Sequence, residues 1–414
     1  MLNRVVNVRP EEVRALLWSF AYFFCLLAGY YILRPLRDEM GVAGGVRNLQ
    51  WLFTGTFVTM LAAVPCYGAL VARLPRRRFI PFVYHFFVAN LAVFWLLLWL
   101  GVERQLVARV FFVWISVFNL FAVSVFWSFM ADIYSSDQAK RLYGFIAAGG
   151  SAGALAGPAL TIGLVQAIGA ANLIIVAAAL LEAAVLCATR LEAKDEARRE
   201  EHIGGGALEG LRLVLSRPYV AGILLWVSVL SVAATFLYFE QAEIVAASSS
   251  DPAVRTRIFA TVDLAVGLLT LGVQFVATGK LIQRFGIGPA LAMLPLVFMT
   301  GFGVLALAPT LAVVISFQAL QRTANFAISN PAREALFTVL ERDEKYKAKN
   351  VIDTVGARGA DAVGGWLLTG LRVLGMEARL IAASAIAIAA VGVALSIALG
   401  RAQARRAIVG AQRQ

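Results

Sequence analysis

The sequence predicts an all-α membrane protein with twelve transmembrane helices, arranged as two pseudo-symmetric six-helix halves. Of its 414 residues, 60% are hydrophobic and only 15% are charged, and the mean hydropathy is +0.78. A soluble chain of this length would need more charge to cover its surface. Long apolar stretches occur along the whole chain, and the second half repeats a pattern of the first. These observations together predict the fold class.

Twelve apolar stretches are each long enough to cross a membrane as a helix. A hydrocarbon core of about 30 Å needs about 20 helical residues. A transmembrane β-barrel would show alternating segments of about ten residues, and the sequence shows none. The predicted spans are residues 16–34, 49–72, 79–100, 105–130, 143–168, 171–189, 219–240, 258–282, 289–307, 310–330, 351–371 and 379–399.

A repeated pattern of small residues relates the two halves. Residues 149–157 have glycine at every fourth position and follow a polar turn at residues 135–141. About half a chain later, residues 356–364 have Gly, Ala and Gly at the same spacing and follow a charged turn that holds three lysines. Small residues at this spacing let membrane helices approach closely. We therefore expect each segment to pack tightly against a neighbouring helix.

Two loops at equivalent places in the halves resemble the signature loop of the major facilitator superfamily, Gly-x-Leu-x-Asp-Arg-x-Gly-Arg-Arg. They are residues 68–78 and 279–288. Ala72 and Gln283 stand where that family has its aspartate, whereas Arg73 keeps the arginine that follows it. The resemblance implies two parallel six-helix halves with a binding site near the midplane of the membrane. Arg73 is predicted to take part in gating.

The predicted domain organisation follows from this repeat. The N-terminal half is residues 1–190, the cytoplasmic linker is residues 191–218, and the C-terminal half is residues 219–414. The linker is rich in Glu, Arg, Lys and Gly, and contains a short amphipathic piece at residues 208–215. The outer connection at residues 243–257 is predicted to be a flexible loop.

The distribution of positive charge predicts the topology. The net charge is +12, and most of the 37 Lys and Arg residues lie in loops on the same side as the amino terminus. This bias is the positive-inside rule, and it places both termini in the cytoplasm. We therefore expect a multi-pass protein of the bacterial inner membrane that binds no nucleic acid.

Enzymatic and metal-binding functions have no support in the sequence. The three cysteines lie in separate predicted spans, and no group of Cys and His residues has the spacing of metal ligands. No nucleophile–base pair is visible, and neither is a phosphate-binding Gly-x4-Gly-Lys-Ser/Thr loop. The sequence therefore predicts neither an enzyme nor a protein with a cofactor or a metal.

The outer end of the first span holds a cluster of charges. On a continuous helix, Tyr30, Arg34 and Arg37 share one face, with Pro35 between the two arginines and Asp38 beside them. Charges at this depth are expensive unless they line water or pair. One interpretation is an interfacial cluster whose side chains extend to the membrane surface. The other is a mouth that attracts anions.

Several ionisable side chains lie within the other predicted spans. Such groups are functional candidates, and pairing among them is the rival explanation. Asp263 is a candidate to neutralise Arg322 or Arg358. The charges are Asp132, Glu182, Glu240, Asp263, Arg322, Arg358 and Asp361, with His85 in the third span.

The tenth span is unusually polar. Gln318, Arg322 and Asn325 share a helical face. An arginine flanked by two amides suits a planar or phosphorylated anion, and it equally suits hydrogen bonding between helices.

The segments around the fourth and fifth spans contain Trp127, Asp132, the run Ala139-Lys140-Arg141 and Tyr143. These residues match a Trp, an acidic residue, Ala-Lys-Arg and a Tyr of the ATP/ADP translocase family, so the segments resemble those nucleotide carriers of plastids and intracellular bacteria. Residues 347–358 resemble its Lys-x-Lys-x-x-x-Asp-x-Val-Gly-x-Arg run, and residues 33–38 resemble its Leu-Arg-Pro-Leu-Lys/Arg-Asp. The chain is therefore similar to a divergent bacterial member of that family.

The resemblance implies exchange of ATP and ADP across a membrane by a monomeric carrier that holds phosphates with basic groups from both halves. Arg37 matches the family's basic position in the first span. Asp132 matches its glutamate in the fourth, and Glu240 matches loosely its carboxylate in the seventh. Asp361 stands where the family has a lysine, which reverses the charge. Arg358, one turn earlier, is a candidate to replace that lysine.

Three functional hypotheses remain open. The first is an alternating-access secondary carrier for nucleotides or another phosphorylated or organic anion, in which loops with Arg73, Lys140 and Arg141 control the motion. The second is a major facilitator carrier for a non-nucleotide or lipid-like solute, in which buried charges are structural pairs. The third is a transport-inactive membrane scaffold. The expected substrate-binding residues are Tyr30, Arg34, Arg37, Asp132, Gln318, Arg322, Asn325, Arg358 and Asp361, and the expected gating or coupling residues are Asp38, Arg73, Lys140, Arg141, Glu240 and Asp263.

Overall fold

The computed structural model describes residues 8–73, 76–191 and 207–411, and within these ranges the regular structure is entirely helical. Eight of the helices in the described ranges are long and apolar enough to cross a membrane. The helices are α1 (Val13–Ala43), α2 (Leu49–Arg73), α3 (Arg76–Trp99), α4 (Arg104–Ile133), α5 (Ser136–Ile168), α6 (Leu173–Thr189), α7 (Ala207–Ser216), α8 (Pro218–Ser248), α9 (Pro252–Val273), α10 (Gly279–Phe285), α11 (Ile287–Leu307), α12 (Leu311–Ala324), α13 (Asn330–Leu336), α14 (Arg342–Val351), α15 (Ala357–Val373) and α16 (Ala378–Ala411).

Each predicted span coincides with one of these helices or with two helices joined by a π-helical turn. The π-helical turns are Gln274–Thr278, Asn325–Ser329 and Ile352–Gly356, so they interrupt the predicted eighth, tenth and eleventh spans. The predicted amphipathic piece of the linker is α7, whereas linker residues 192–206 lie outside the described residues. The prediction of an all-helical fold with long apolar spans is confirmed.

Two segments predicted as turns are largely helical. Only Tyr134 and Ser135 separate α4 from α5, because Ser135 caps the new helix. Its hydroxyl accepts a hydrogen bond from the backbone N–H of Gln138, whose side chain accepts one from the Ser135 N–H in return, at 3.4 Å and 3.0 Å. This reciprocal capping starts a helix early, so the prediction of a turn over residues 135–141 is wrong. The lysine-bearing segment of the second half is likewise helical, as α14.

The predicted flexible loop at residues 243–257 is also wrong. Helix α8 continues to Ser248 and α9 begins at Pro252, so the connection is three residues long. The Asp251 carboxylate accepts a hydrogen bond from the Ala253 N–H at 2.8 Å, and the Ser249 hydroxyl accepts one from the Asp251 N–H at 3.1 Å. Side-chain caps of this kind satisfy the exposed N–H groups at a helix start.

The contacts divide the chain into two compact units. Unit 1 comprises Met1–Gly45, Ala62–Glu201 and Ser249–Leu264, and unit 2 comprises Val46–Leu61, His202–Ser248 and Ala265–Gln414. The first part of α9 therefore belongs to unit 1, and the first part of α2 belongs to unit 2. The division into residues 1–190, 191–218 and 219–414 describes the repeat in the sequence and stays a prediction.

Within unit 1, the glycines of α5 lie directly against the backbone of α1. A β-carbon added to Gly149 would lie 2.5 Å from the carbonyl oxygen of Phe20, and one added to Gly157 would lie 2.7 Å from that of Ala28. Real β-carbons do not approach so closely, so only glycine allows the two helices this separation. The predicted close approach of residues 149–157 to a neighbouring helix is confirmed.

Within unit 2, the repeated segment packs in the same way. A β-carbon added to Gly364 of α15 would lie 3.1 Å from Cα of Val232 in α8, and one added to Gly356 would meet the side chain of Leu224. The pair α8–α15 therefore repeats the pair α1–α5, as the small-residue pattern predicts.

An ion pair joins the first helix of each repeat to its close neighbour. Arg141 of α5 lies 2.9 Å from Glu12, just before α1, and Arg217, just before α8, lies 3.0 Å from Glu344 of α14. The two pairs occupy corresponding places, but the acid and the base have exchanged positions. An ion pair thus occurs at this place in both halves, although the residue types at its two positions differ.

Candidate functional site

The predicted charged face of the first span lies on one unbroken helix. Helix α1 runs from Val13 to Ala43 through Pro35, so Tyr30, Arg34 and Arg37 lie one above another. The Tyr30 and Tyr31 rings pack edge to face with centroids 5.3 Å apart. The guanidinium carbon of Arg34 lies 5.7 Å from the Tyr31 ring centroid, which is within range of a cation–π interaction.

Arg34 forms an ion pair with Asp263. One guanidinium nitrogen of Arg34 lies 3.9 Å from a carboxylate oxygen of Asp263, and the two side chains are 19% and 1% exposed. Both residues belong to unit 1. At 3.9 Å the charges attract without forming a hydrogen bond. The sequence left Arg322 and Arg358 as candidate partners of Asp263, and the structure adds Arg34.

Arg37 lies one turn further along α1. Its guanidinium carbon is 4.5 Å from the centroid of the Phe112 ring of α4, and its Nε is 3.4 Å from the carboxylate of Asp38. The side chains of Arg37 and Asp38 are 21% and 11% exposed. Arg34, Arg37, Asp38 and Asp263 therefore form a mostly buried charged cluster in unit 1.

A neighbouring ion-pair cluster was not predicted. Glu39 is completely buried, and one of its carboxylate oxygens accepts hydrogen bonds from Arg255 at 2.6 Å and from Arg104 at 3.3 Å. Arg255 also donates to the carbonyl oxygens of Ser249 and Ser250, both at 3.1 Å. Arg255 lies in the segment that was predicted as a flexible loop. The pair Asp251-Pro252 is typical of a helix start, and this signal could have placed Arg255 on a helix.

The predicted gating residues of α5 lie far from this cluster. Arg141 pairs with Glu12, which precedes Arg34 by 22 helical positions, or about 33 Å along α1. Lys140 is exposed and lies 3.8 Å from the equally exposed Asp137. Asp132 is half-buried near the end of α4. Arg73 is the last residue of α2, and its side chain lies outside the description.

In unit 2, the polar face of the tenth span contains a buried amide pair. The side-chain nitrogen of Gln318 donates to the side-chain oxygen of Gln241 in α8 at 2.6 Å, and both residues are buried. Arg322 is half-buried one turn later. Asn325 begins the π-helical turn Asn325–Ser329. Gln318 therefore makes the helix-to-helix hydrogen bond that the sequence analysis left open.

Asp361 is close to a positive charge. Its carboxylate accepts a hydrogen bond from Arg358 at 3.3 Å within α15, and the side chains are 17% and 44% exposed. The charge reversal at Asp361 is thus offset locally by Arg358. An arginine bound in this way is a weaker replacement for the lysine that the family resemblance implies.

Glu240 also lies in an ion-pair cluster. Arg372 of α15 donates to Glu240 at 3.0 Å and also pairs with Glu243, so two carboxylates of α8 share one arginine. The role of Glu240 in gating or coupling stays a prediction.

Two of the three π-helical turns described in unit 2, Gln274–Thr278 and Asn325–Ser329, contact each other. The hydroxyl of Thr278 donates to the carbonyl oxygen of Ala327 at 2.7 Å, and the side chain of Gln274 donates to that of Phe326 at 3.4 Å. A π-helical turn widens the helix and disturbs its hydrogen-bond pattern, and such turns are frequent at functional sites. None of these turns has a recognisable sequence signal.

Glu182, for which the sequence suggested no partner, lies near His85. The distance between their side chains is 3.5 Å, and Nδ1 of His85 lies 2.6 Å from the carbonyl oxygen of Pro81. A carbonyl oxygen only accepts, so Nδ1 carries a hydrogen and Nε2 faces the carboxylate. The pair is separate from the arginine cluster and is partly exposed.

Solved structures of transporters share this fold. The alignment with the structure of the POT family transporter PepTSo covers 97% of this chain and 99% of that protein, with a TM-score of 0.66 and 13% identity. The alignment with a bacterial homologue of the human lysosomal transporter Spinster covers 96% of this chain and 99% of that protein, with a TM-score of 0.64 and 13% identity. The nucleoside transporter NupG covers 95% and 99%, with a TM-score of 0.60 and 12% identity. At such low identity these likenesses establish the fold alone.

The sequence comparison identifies the family. No curated protein matches the sequence significantly. The sequence model of the Major Facilitator Superfamily matches residues 16–336, which is most of the chain. Together with the fold, this indicates a multi-pass membrane transporter rather than an enzyme, and it confirms the prediction of twelve spans of the major facilitator type. The chain belongs to the Major Facilitator Superfamily.

Proposed function

We propose that this transporter is an alternating-access carrier for an organic anion that bears a phosphate group, with nucleotides as the first candidates. One observation supports the proposal above the others. The side chain of Arg34 is 19% exposed, and within the described residues its guanidinium makes no hydrogen bond to the protein. Its donors are therefore available to a solute.

An arginine in this state is suited to a phosphate. The planar guanidinium presents five N–H donors that match phosphate or carboxylate oxygens two at a time. Asp263, at 3.9 Å, compensates the charge of Arg34 without using those donors. Ionisable side chains inside a span are rare and mark solute pathways by default, which supports a role of Arg34 in binding.

Aromatic rings beside Arg34 favour a nucleotide over a small carboxylate. Tyr30 and Tyr31 lie edge to face and are half-buried, and an aromatic ring beside an arginine can stack on a base. The resemblance of residues 33–38 to the ATP/ADP translocase family supports the same class of solute. NupG, with the same fold, is a nucleoside transporter.

Ligand-dependent stabilisation tests the proposal. Purified protein in detergent would be heated with ATP, ADP, inorganic phosphate, sugar phosphates and dicarboxylates. A ligand that binds only the folded state at a hundred times its Kd adds about 2.7 kcal/mol to the free energy of unfolding. The variant Arg34→Ala should lose this stabilisation. Arg257→Ala, at an exposed position in the same unit, is the matched control and should keep it.

The outcomes separate the solute classes. Stabilisation by ATP or ADP in wild type and Arg257→Ala, but not in Arg34→Ala, supports a nucleotide carrier. Stabilisation by another anion with the same dependence on Arg34 supports the anion carrier and replaces the nucleotide. Equal stabilisation of Arg34→Ala and wild type would refute the role of Arg34.

A second candidate is a carrier for a neutral or lipid-like solute. The ion pairs Arg34–Asp263 and Arg358–Asp361 favour it, because charges that compensate one another can be purely structural. The double variant Arg358→Asp/Asp361→Arg keeps the pair and reverses its direction. A structural pair predicts normal stability and transport in this variant, whereas an anion site predicts normal stability and lost transport.

A further inference from the structure

We propose that Asp263 sets the mode of transport, by compensating the charge of Arg34 when the carrier is empty. The empty carrier then changes conformation without a bound solute, and the protein catalyses net movement of its anion rather than obligatory exchange. The inference rests on the proposed anion site at Arg34. It departs from the exchange that the resemblance to ATP/ADP translocases implies.

The geometry places Asp263 as a resident counter-ion. Its side chain is 1% exposed and lies on α9, while Arg34 lies on α1. A second pair, Glu39 with Arg255 at 2.6 Å, joins the same two helices. Asp263 is therefore held beside Arg34 by the fold and does not depend on a solute to be there.

The cost of an uncompensated charge connects this pair to the transport cycle. A buried arginine without a countercharge is strongly unfavourable in the low-dielectric interior of a membrane protein. In the loaded carrier, the anion compensates Arg34. Without Asp263, the empty carrier would have to keep Arg34 in contact with water, or stay in one conformation until another anion binds. Such a protein would exchange anions but would not return empty.

The distance between the two groups allows a solute to compete. At 3.9 Å the pair gains attraction but no hydrogen bond, whereas a phosphate oxygen would approach a guanidinium to about 2.8 Å. An anion therefore gains hydrogen bonds that Asp263 does not make. Asp263 compensates Arg34 without blocking it.

Transport assays in liposomes test the inference. Purified protein would be reconstituted, and uptake of radiolabelled ATP, ADP and inorganic phosphate would be measured into empty liposomes and into liposomes preloaded with the same unlabelled compound. Empty liposomes report net uptake, and preloaded liposomes report exchange. The variants are Asp263→Asn, which removes the charge, and Asp263→Glu, which keeps it. Glu182→Gln, a span carboxylate in the same unit that pairs with His85, is the matched control.

We expect wild type, Asp263→Glu and Glu182→Gln to show both activities. We expect Asp263→Asn to keep exchange and to lose net uptake by at least about tenfold, because it leaves a buried charge unpaired. Melting temperatures of all four proteins establish that the loss is not unfolding.

Two results would overturn the inference and leave the proposed anion function intact. The first is a wild-type protein that exchanges a probe but does not take it up into empty liposomes. The second is Asp263→Asn with normal net uptake. If no probe enters under either condition, the proposed anion function fails and the inference fails with it.

Discussion

Glu39 accepts a hydrogen bond from Arg255 at 2.6 Å, although the two residues are distant in sequence and their side chains are 0% and 10% exposed. Glu39 lies near the end of α1, and Arg255 lies in the first turns of α9. A buried carboxylate with a buried arginine partner is a strong link, because neither group can return to water when the other is removed. This link fixes the end of α1 beside α9 within unit 1.

Replacing Arg255 and replacing Arg104, the two arginines that contact Glu39, should lower the stability of the protein by very different amounts. Arg255→Ala leaves the buried Glu39 carboxylate with only the half-exposed Arg104 at 3.3 Å, and it should lower the free energy of unfolding by about 3–5 kcal/mol. Arg104, whose side chain is 48% exposed, is the matched control, and Arg104→Ala should cost less than about 1 kcal/mol. Thermal or denaturant unfolding in detergent measures both. Equal losses would contradict the assignment of Arg255 as the principal partner.

The glycines of α5 should tolerate no side chain where they face α1. Gly153→Val places atoms against the backbone of Phe24 and Ala28 and should cost at least about 1–3 kcal/mol through overpacking. Gly163→Val in the same helix is the control, because nothing lies within 4 Å of a β-carbon there. Unfolding of the two purified variants gives the comparison. A Gly153→Val protein as stable as Gly163→Val would refute the close packing.

Removing one amide of the buried Gln241–Gln318 pair should cost more than removing both. Gln318→Leu leaves the Gln241 amide without its partner and should cost about 1–3 kcal/mol. The double variant Gln241→Leu/Gln318→Leu leaves neither amide and should recover part of the loss. A double-mutant cycle in unfolding experiments gives the coupling. A double variant that loses the sum of the single losses would show that the two amides do not interact.

The two ion pairs with exchanged acid and base should differ in strength. Glu12 is 5% exposed in its pair with Arg141, whereas Glu344 and Arg217 are 22% and 62% exposed. Glu12→Gln should therefore destabilise the protein clearly more than Glu344→Gln, because exposed pairs contribute at most about 1 kcal/mol. The exchanged variant Glu12→Arg/Arg141→Glu should recover much of the loss of Glu12→Gln. Melting temperatures in detergent give this order, and the opposite order would contradict it.

The sequence predicted the helices well because apolar length and small-residue spacing are local properties. The spans follow from about 20 apolar residues each, and the close approach of α5 to a neighbouring helix follows from glycine at every fourth position. Boundaries were less accurate where capping starts a helix, as Ser135 does for α5. The π-helical turns depend on contacts such as that of Thr278 with Ala327, and those contacts are not visible in one sequence.

The candidate site was predicted only as a set of residues. Ionisable groups in apolar segments are easily recognised, so Arg34, Arg37 and Asp263 were identified from the sequence as candidates. Their pairing depends on the relative rotation of α1 and α9 about their axes, which no local pattern specifies. Glu39 and Arg255 were missed as a pair for the same reason, and also because the start of α9 has the composition of a loop.

The contact between α1 and α5 has a mechanical consequence. Phe20 and Ala28 of α1 leave no space for sliding along the glycines at 149 and 157, so a tilt of one helix must displace the other. The two helices are therefore expected to move as one rigid body, and Arg34 of α1 moves with α5. A spectroscopic label on an exposed residue of α5 would report the movement of that arginine during turnover, without any alteration of α1 itself.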